Sequence, residues 1–277
     1  MDAAPVRKAY DTDLTDEEWA LLEPLLPPPQ PGGRKRTTNI REVVNAIFYL
    51  LQTGVQWSNL PHDFPPEGTV RDYYHRWRRN GTWQAIHDCL RRAVRVQEGR
   101  NPQPTAAIID SQSTKATATT GSRGYDAGKK IKGRKRHILV DTLGLILIAV
   151  VHVANIQDRD GAKLVFNKAD ADCRNLELVW ADGGYAGKLI EWTKTTNGWK
   201  LEIVKRSDDV QGFKLLPRRW VVERTLSWLS NCRRLSKDYE YHESTSETLI
   251  HLAMTRLMLR RLKGQTLTPA AREQLAA

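Results

Sequence analysis

The run KRHILVDTLGLILIAVVHV, residues 135–153, constrains the fold more than any other part of the chain. Two apolar stretches rich in β-branched residues, 135–142 and 145–153, flank the pair Leu143–Gly144. That pattern predicts two antiparallel strands joined by a tight turn, and a hairpin so apolar needs a sheet around it. TAAIID (105–110), LELVWAD (176–182) and LEIVKR (201–206) read as further strands. Residues 158–170 and 187–196 read as helices, and PRRWVVERTLSWLSNCRRL starts another with Pro217 at a first-turn position. The order β-β-β-α-β-α-β-α mixes an antiparallel hairpin with helical crossovers, so the expected fold is α/β with a mixed sheet.

No strand is needed before residue 100. Thr15, three residues before Glu18, opens LTDEEWALLEPLL (14–26) with a capping box. After the break PPPQPGG and the basic knot 34–36, residues 37–54 predict a second helix ending at Gly54. Thr69 is placed to cap VRDYYHRWRRN (70–80), and 82–97 gives a fourth helix before the polar linker EGRNPQP, 98–104. A helical block with a short turn before a basic, aromatic-rich helix is compatible with helix-turn-helix DNA binding. Arg71, Arg76, Arg78 and Arg79 are then candidates for phosphate or base-edge contacts, with the aromatics as the packing face. A plain bundle helix with a solvated arginine face explains them equally well.

Charge supports a polyanionic partner. The chain has 43 Lys+Arg against 32 Asp+Glu, a net +11, although residues 1–30 hold only Arg7 and Lys8 against seven acids. Nucleic acid is the first partner such an excess implies, an acidic membrane the second. The longest apolar run, 143–154, is too short to span a bilayer and no hydrophobic signal core opens the chain, so a cytoplasmic protein is expected. Cys89, Cys173 and Cys232 match no zinc or disulfide spacing, as in a reducing compartment.

Within 218–235, Trp220, Val221, Val222, Leu226, Trp228 and Leu229 cover most of a helix circumference. They leave a narrow polar stripe of Arg219, Glu223, Ser227, Ser230 and Arg234, so a largely buried helix is expected. A buried carboxylate there must be paired or bound to a cation. An ion pair with Arg219, one turn back, and a role as metal ligand both satisfy this; the stretch alone favours the pair.

Two strands end in aspartate, Asp110 and Asp182, and reactive groups of open α/β sheets gather where strands end. With Glu223 they form a candidate carboxylate trio, which would repel itself strongly without a divalent cation. Oxygen ligands with open positions suit Mg²⁺ or Mn²⁺, and a metal pair is the machinery of phosphodiester cleavage and transfer. Asp141, Asp158 and Asp160 are competitors, and the aspartates have structural alternatives, Asp110 capping a turn before Ser111 and Asp182 shaping the Gly183–Gly184 turn. GKKIKGRKRH (128–137) adds a phosphate-binding loop as a candidate, through Lys129, Lys130, Lys132, Arg134, Lys135 and Arg136.

The segments IIDSQSTKATATTGSRGYDAGKKIKGRKRHILVDTLGLIL, VWADGGYAG and RRWVVERTLSWLSNCRRLSKDYE resemble, in order, the DDE transposases of bacterial insertion sequences. Together with LTDEEWALLEPLLPP, GVQWSNLP and TVRDYYHRWRRNGTW they are most similar to the small transposases of insertion sequence family five, across roughly 12–262. The resemblance implies a ribonuclease-H-like mixed sheet with flanking helices, and Asp110, Asp182 and Glu223 as the catalytic, metal-binding triad. It implies Mg²⁺ as cofactor, with Mn²⁺ able to substitute, and double-stranded DNA as partner. The reaction would be hydrolysis at terminal inverted repeats, then attack of the freed 3′-hydroxyls on target DNA by a homodimer bridging two ends.

The family's signature at the glutamate is Tyr, two residues, Arg, three residues, Glu, six residues, Lys. Arg219 and Glu223 fit it; Leu216 and Ser230 stand at the tyrosine and lysine positions. The resemblance thus gives Arg219 a role in holding Glu223 or a phosphate, and leaves the lysine's work to Arg233, Arg234 or Lys237. The interval 183–222 leaves little room for the β-rich insertion some relatives carry, which argues against hairpin-ended intermediates that rely on it. The expected organisation is a helical DNA-binding region (1–100), a catalytic domain (101–264) and a tail (265–277). A catalytically silent DNA-binding descendant and a structure-selective nuclease are the alternatives.

Overall fold

The computed structural model describes residues 7–29, 32, 36–204 and 219–264. Leu216, Pro217 and the tail 265–277 lie outside these residues. The capping box forms at α1 (Asp16–Leu22), where Thr15 and Glu18 bond reciprocally. Asn39 caps α2 (Ile40–Thr53), which stops at Gly54 in the left-handed region, φ 74°. The next helix, α3 (Glu67–Arg79), starts earlier than expected: Pro66 stands at the cap and Thr69 lies inside the first turn. Proline sets the entry backbone without needing a side-chain cap. α4 spans Thr82–Gln97.

The sheet comprises β1 (Ala106–Lys115), β2 (Gly124–Asp126), β3 (Ile131–Asp141), β4 (Ile146–Val153), β5 (Leu178–Ala181) and β6 (Lys200–Ile203). Its order is β2-β3-β1-β5-β6, with β4 also paired to β3. β3 is antiparallel to β1 and β4, whereas β1–β5 and β5–β6 are parallel. This is the mixed, ribonuclease-H-like sheet expected. α5 (Asp158–Asp172) and α6 (Lys188–Asn197) cover one face; α7 (Arg219–Ser230), α8 (Glu243–Arg261) and the N-terminal helices meet the other.

Side-chain alternation assigns the faces. Ala107, Ile109, Leu139, Val179 and Ala181 pack with Val165 and Phe166 of α5. Ile108, Ile138, Val140 and Trp180 pack with Val221 and Val222 of α7 and Met254 of α8. That second core continues without a break into Leu21, Leu51, Tyr74 and Leu90 of the helical region.

Three elements differ from expectation. β1 runs on past Asp110 to Lys115 because its polar half is satisfied laterally: Ser111 Oγ donates to Asp158 at 2.8 Å and Ser113 Oγ to Asp126 at 2.5 Å. The basic run expected as a loop is largely strand, since β3 begins at Ile131. α8 had no amphipathic signal: it is buried on most sides, lying against both α4 and β4.

Candidate active site

Parallel pairing of β1 and β5 sets Ile108 opposite Trp180. Two residues further along stand Asp110, still within β1, and Asp182, the first residue past β5; the period of two turns Asp110 toward the face that α7 covers. Asp182 follows β5 directly and caps a short 3₁₀ turn, Gly183–Tyr185, its Oδ1 accepting from the Gly184 N–H at 2.8 Å. Asp110 Oδ1 accepts from the Ser111 N–H at 2.7 Å. Asp110 sits within its strand, not at the end of it.

α7 brings Glu223 to the same side of the sheet. The helix docks on the β3–β4 turn, with Thr225 Oγ1 donating to the Gly144 carbonyl at 2.7 Å and Arg224 Nη2 to that of Leu143 at 3.0 Å. Val221, Val222, Leu226 and Leu229 are buried, whereas Glu223, Ser227 and Ser230 are exposed. The expectation of a helix buried nearly all round is therefore corrected. Trp220 and Trp228 flank the Arg224 guanidinium at 4.3 and 4.6 Å, so these rings find a cationic partner at the helix margin instead of full burial. The side chain of Arg219 lies outside the described residues.

A buried polar network backs the aspartates from the opposite face. Tyr185 Oη lies 3.0 Å from His137 Nε2, and His137 Nδ1 lies 2.8 Å from His152 Nε2. Burial first, then the charges of Asp110 and Asp158, keeps the Tyr185 phenol well above its ordinary pKa. Lys135 Nζ donates to Asp158 Oδ1 at 3.0 Å and to the Ile156 carbonyl at 2.9 Å. Burial alone would raise the Asp158 carboxyl; hydrogen bonds from Lys135 and Ser111 outweigh it and hold the pKa below the ordinary value. A Cβ on Gly184 would lie 3.0 Å from Asp182 Oδ1 and 3.9 Å from Asp158 Oδ2, so Asp158 borders the site. Sequence reasoning missed Tyr185 and the role of Lys135. Their signals were a tyrosine one turn beyond Asp182 and a lysine at an inward strand position.

The other competing acids are accounted for. Asp141 closes the β3–β4 turn, accepting from the N–H groups of Leu143 and Leu145, and pairs with Arg95 at 2.5 Å. Asp160 pairs with Lys163 at 3.2 Å on the exposed side of α5.

The candidate DNA contacts divide by exposure. On α3, Arg71, Arg76 and Arg79 are exposed and Arg78 partly so, while Tyr74 and Trp77 are buried as expected. Lys129, Lys130 and Lys132 are exposed at the β2–β3 hairpin, and Arg233 and Lys237 follow α7 at the surface. Arg134, Lys135, Arg136 and Arg234 correct the expectation. Arg134 is fully buried, donating to the carbonyls of Ser122, Glu240 and Tyr241. Arg136 donates to those of Leu235 and Lys237, and burial pushes its pKa down to about 10. Arg234 pairs with Glu240 at 2.6 Å and lies in a 3₁₀ turn beyond α7, off the Glu223 stripe. The Arg134 and Arg136 guanidinium groups are thus spent on holding 235–241 against β3, and Lys135 on Asp158 and the Ile156 carbonyl.

Among the described residues, no three His, Cys, Asp or Glu side chains are gathered closely enough to hold an ion. Asp110 and Asp182 nevertheless fit a divalent cation in kind: each offers hard carboxylate oxygens, one from within β1 and one from just past its parallel neighbour β5, and the Gly184 N–H already orients Asp182. No helix among the described residues is long and apolar enough to cross a membrane, and all three cysteines are buried and outside any disulfide.

The sheet order defines the fold class, a domain of the ribonuclease-H-like type. The chain belongs to the Transposase DDE domain family, which matches residues 101–258. Residues 14–87 match the family described as Putative transposase of IS4/5 family. Over 109 residues the chain is 30% identical to the Insertion element IS402 uncharacterized 16.2 kDa protein of Burkholderia cepacia, covering 37% of this chain and 73% of that one. Over 140 residues it is 31% identical to the Putative transposase for insertion sequence element IS402 of the same organism, covering 48% of this chain and 64% of that one. A domain of this family works with divalent metal.

Proposed function

We propose that the chain is the transposase of a bacterial insertion sequence, which cleaves DNA at its element's terminal inverted repeats and joins the 3′-hydroxyls to target DNA. The observation that supports this reading is the placing of Asp110 within β1 and of Asp182 directly after β5, its parallel neighbour, on a sheet whose other layer includes α7 with Glu223. In this reading Asp110 and Asp182 hold Mg²⁺, or Mn²⁺ in its place, and Glu223 joins them when metal and DNA are present. The ion supplies charge stabilisation at the scissile phosphate. The protein's own part is to fix the two aspartates through the Gly184 and Ser111 N–H groups, and to keep Tyr185 protonated behind them.

Residues 1–100 form the DNA-binding region, 101–264 the catalytic domain and 265–277 a tail in this scheme. Arg71, Arg76, Arg78 and Arg79 engage the inverted repeat, with Lys129, Lys130, Lys132 and Lys237 on the flanking backbone; two copies bridge two ends. Exposure of these side chains supports their assignment. Glu223 is exposed, so Glu223→Gln should leave stability and end binding within the ordinary range of surface changes while abolishing end cleavage. Cleavage assays on duplexes carrying the element's ends, run beside gel-shift titrations, test this. Normal cutting by the variant would remove Glu223 from the triad; binding without cutting by the unaltered protein would favour the silent DNA-binding descendant.

A further inference from the structure

α7 carries Glu223, and two points that fasten this helix lead back to the helical region. Directly after the carboxylate, Arg224 and Thr225 bond the carbonyls of Leu143 and Gly144 in the β3–β4 turn. Asp141 shapes that turn, its Oδ1 accepting from the Leu143 and Leu145 N–H groups at 2.9 and 2.8 Å. Its other oxygen, Oδ2, pairs with Arg95 Nη1 at 2.5 Å, and Arg95 belongs to α4. Both side chains are buried, at 0% and 5% exposure. Arg95 Nε donates in addition to the Asn101 carbonyl at 2.7 Å, so one guanidinium ties the linker to the turn.

The far end of α7 is held by α2. Gln52 Nε2 donates at 2.9 Å to the carbonyl of Asn231, the first residue past α7, while Gln52 Oε1 accepts from Arg256 Nη1 of α8 at 2.7 Å. Arg234 Nη1 donates to the Val55 carbonyl at 3.2 Å. Gly54 permits this close approach, since a Cβ there would lie 3.2 Å from the backbone carbonyl carbon of Arg233. Between the two points α7 rests on the sheet through Val221, Val222, Leu226 and Leu229, all buried. Apolar burial is non-directional and does not by itself fix a helix along its axis. A shift by one residue's rise, about 1.5 Å, exceeds the roughly 0.5 Å within which a metal-binding or catalytic group must be held. Directional bonds at both points remove that freedom.

We propose that Arg95 and Gln52 are positioning residues for Glu223: from the helical region they fix the turn beside that carboxylate and the end of its helix, and so set where it stands over the sheet. The inference rests on the transposase reading of Glu223. The helical region then acts on the cleavage step as well as on DNA binding. Arginine suits the first point because its planar fork gives Nε to one acceptor and Nη1 to another at once, which a lysine ammonium cannot do from the same stem.

The test compares the full chain with Arg95→Lys, which keeps the charge but not the fork, and with Gln52→Ala, at a half-buried site. If Arg95→Lys fails to fold, Gln52→Ala carries the test alone. Gel-shift affinity for a duplex bearing the element's end should stay within about twofold, while single-turnover cleavage at saturating duplex and Mg²⁺ falls by about tenfold. Electron paramagnetic resonance titration of the duplex-bound protein with Mn²⁺ gives a readout that general destabilisation would not move in the same way. Each substitution should weaken Mn²⁺ binding several-fold while Glu223 is present, and change nothing further in a Glu223→Gln background. Equal weakening in both backgrounds, or cleavage at full rate by the folded variants, overturns the inference while the transposase reading stands. If the unaltered protein leaves the end duplex uncut, that reading falls and takes the inference with it.

Discussion

His251 is 5% exposed with its ring 5.0 Å from that of His87, and burial, then the His87 charge, holds its pKa well below the ordinary 6.5. Burial, then His152, pushes His137 down to about 3. His75 and His152 are lowered as well, chiefly by burial. For each, the unfolded chain takes up its proton first as pH falls, so the stability these neutral rings contribute is complete above about 6.5 and drains away below it. Glu240, whose carboxyl burial raises, acts in the opposite sense, but it is one group against four. The urea midpoint should therefore be lower at pH 5.5 than at 7.5, and His251→Gln should flatten part of that slope; equal midpoints at both pH values would contradict this. At this scale residue type alone singles out candidates in the sequence, the carboxylates Asp110, Asp182 and Glu223. It offered Asp158 only as one competitor among three and did not disclose Lys135 or Tyr185 as its neighbours, because their meaning comes from strands that meet only in the folded sheet.

Gly144 shows how one turn controls an element that carries chemistry. Its φ is +81°, and a Cβ there would stand 2.8 Å from Thr225 Oγ1 and 3.3 Å from Arg224 Nη2, the two side chains that dock α7. Gly144→Ala should cost at least about 1–2 kcal/mol for the left-handed backbone alone. It should also push α7 off the turn, so end cleavage falls by more than end binding. A variant destabilised by that amount yet cutting at full rate would show that Glu223 does not depend on this docking. The hairpin itself was legible from its two β-branched runs, as were α1 from its capping box and α4 from its spacing. Three elements were not. The polar half of β1 and the basic half of β3 are buried through hydrogen bonds to Asp158, Asp126 and the carbonyls of 235–241, partners that no local pattern reveals. α8 is covered by both α4 and β4 and buried along most of its length, and a helix buried on most sides has no stripe to read.

One core joins the helical region to the catalytic sheet, from Leu21 and Leu51 through Tyr74 and Leu90 to Trp180 and Met254. Leu51 is fully buried within it, so Leu51→Ala should cost about 2–5 kcal/mol. Circular dichroism and tryptophan fluorescence should still follow a single, shifted unfolding transition; two separated transitions would mean that the regions melt independently. The unity of this core was the least legible property, since the linker 98–104 separates the regions in sequence but not in space. The treatment of β4 bears on the molecule as a whole. This strand borders the sheet, yet the Val151 N–H is taken by Glu247 and the Ala149 carbonyl by Lys168 at 3.1 Å. Two side chains thus occupy hydrogen-bonding groups that a second chain would use to extend the sheet. Copies crowded at neighbouring ends of an element are discouraged from growing into fibres along this border, and their pairing is left to helices and to the DNA they share.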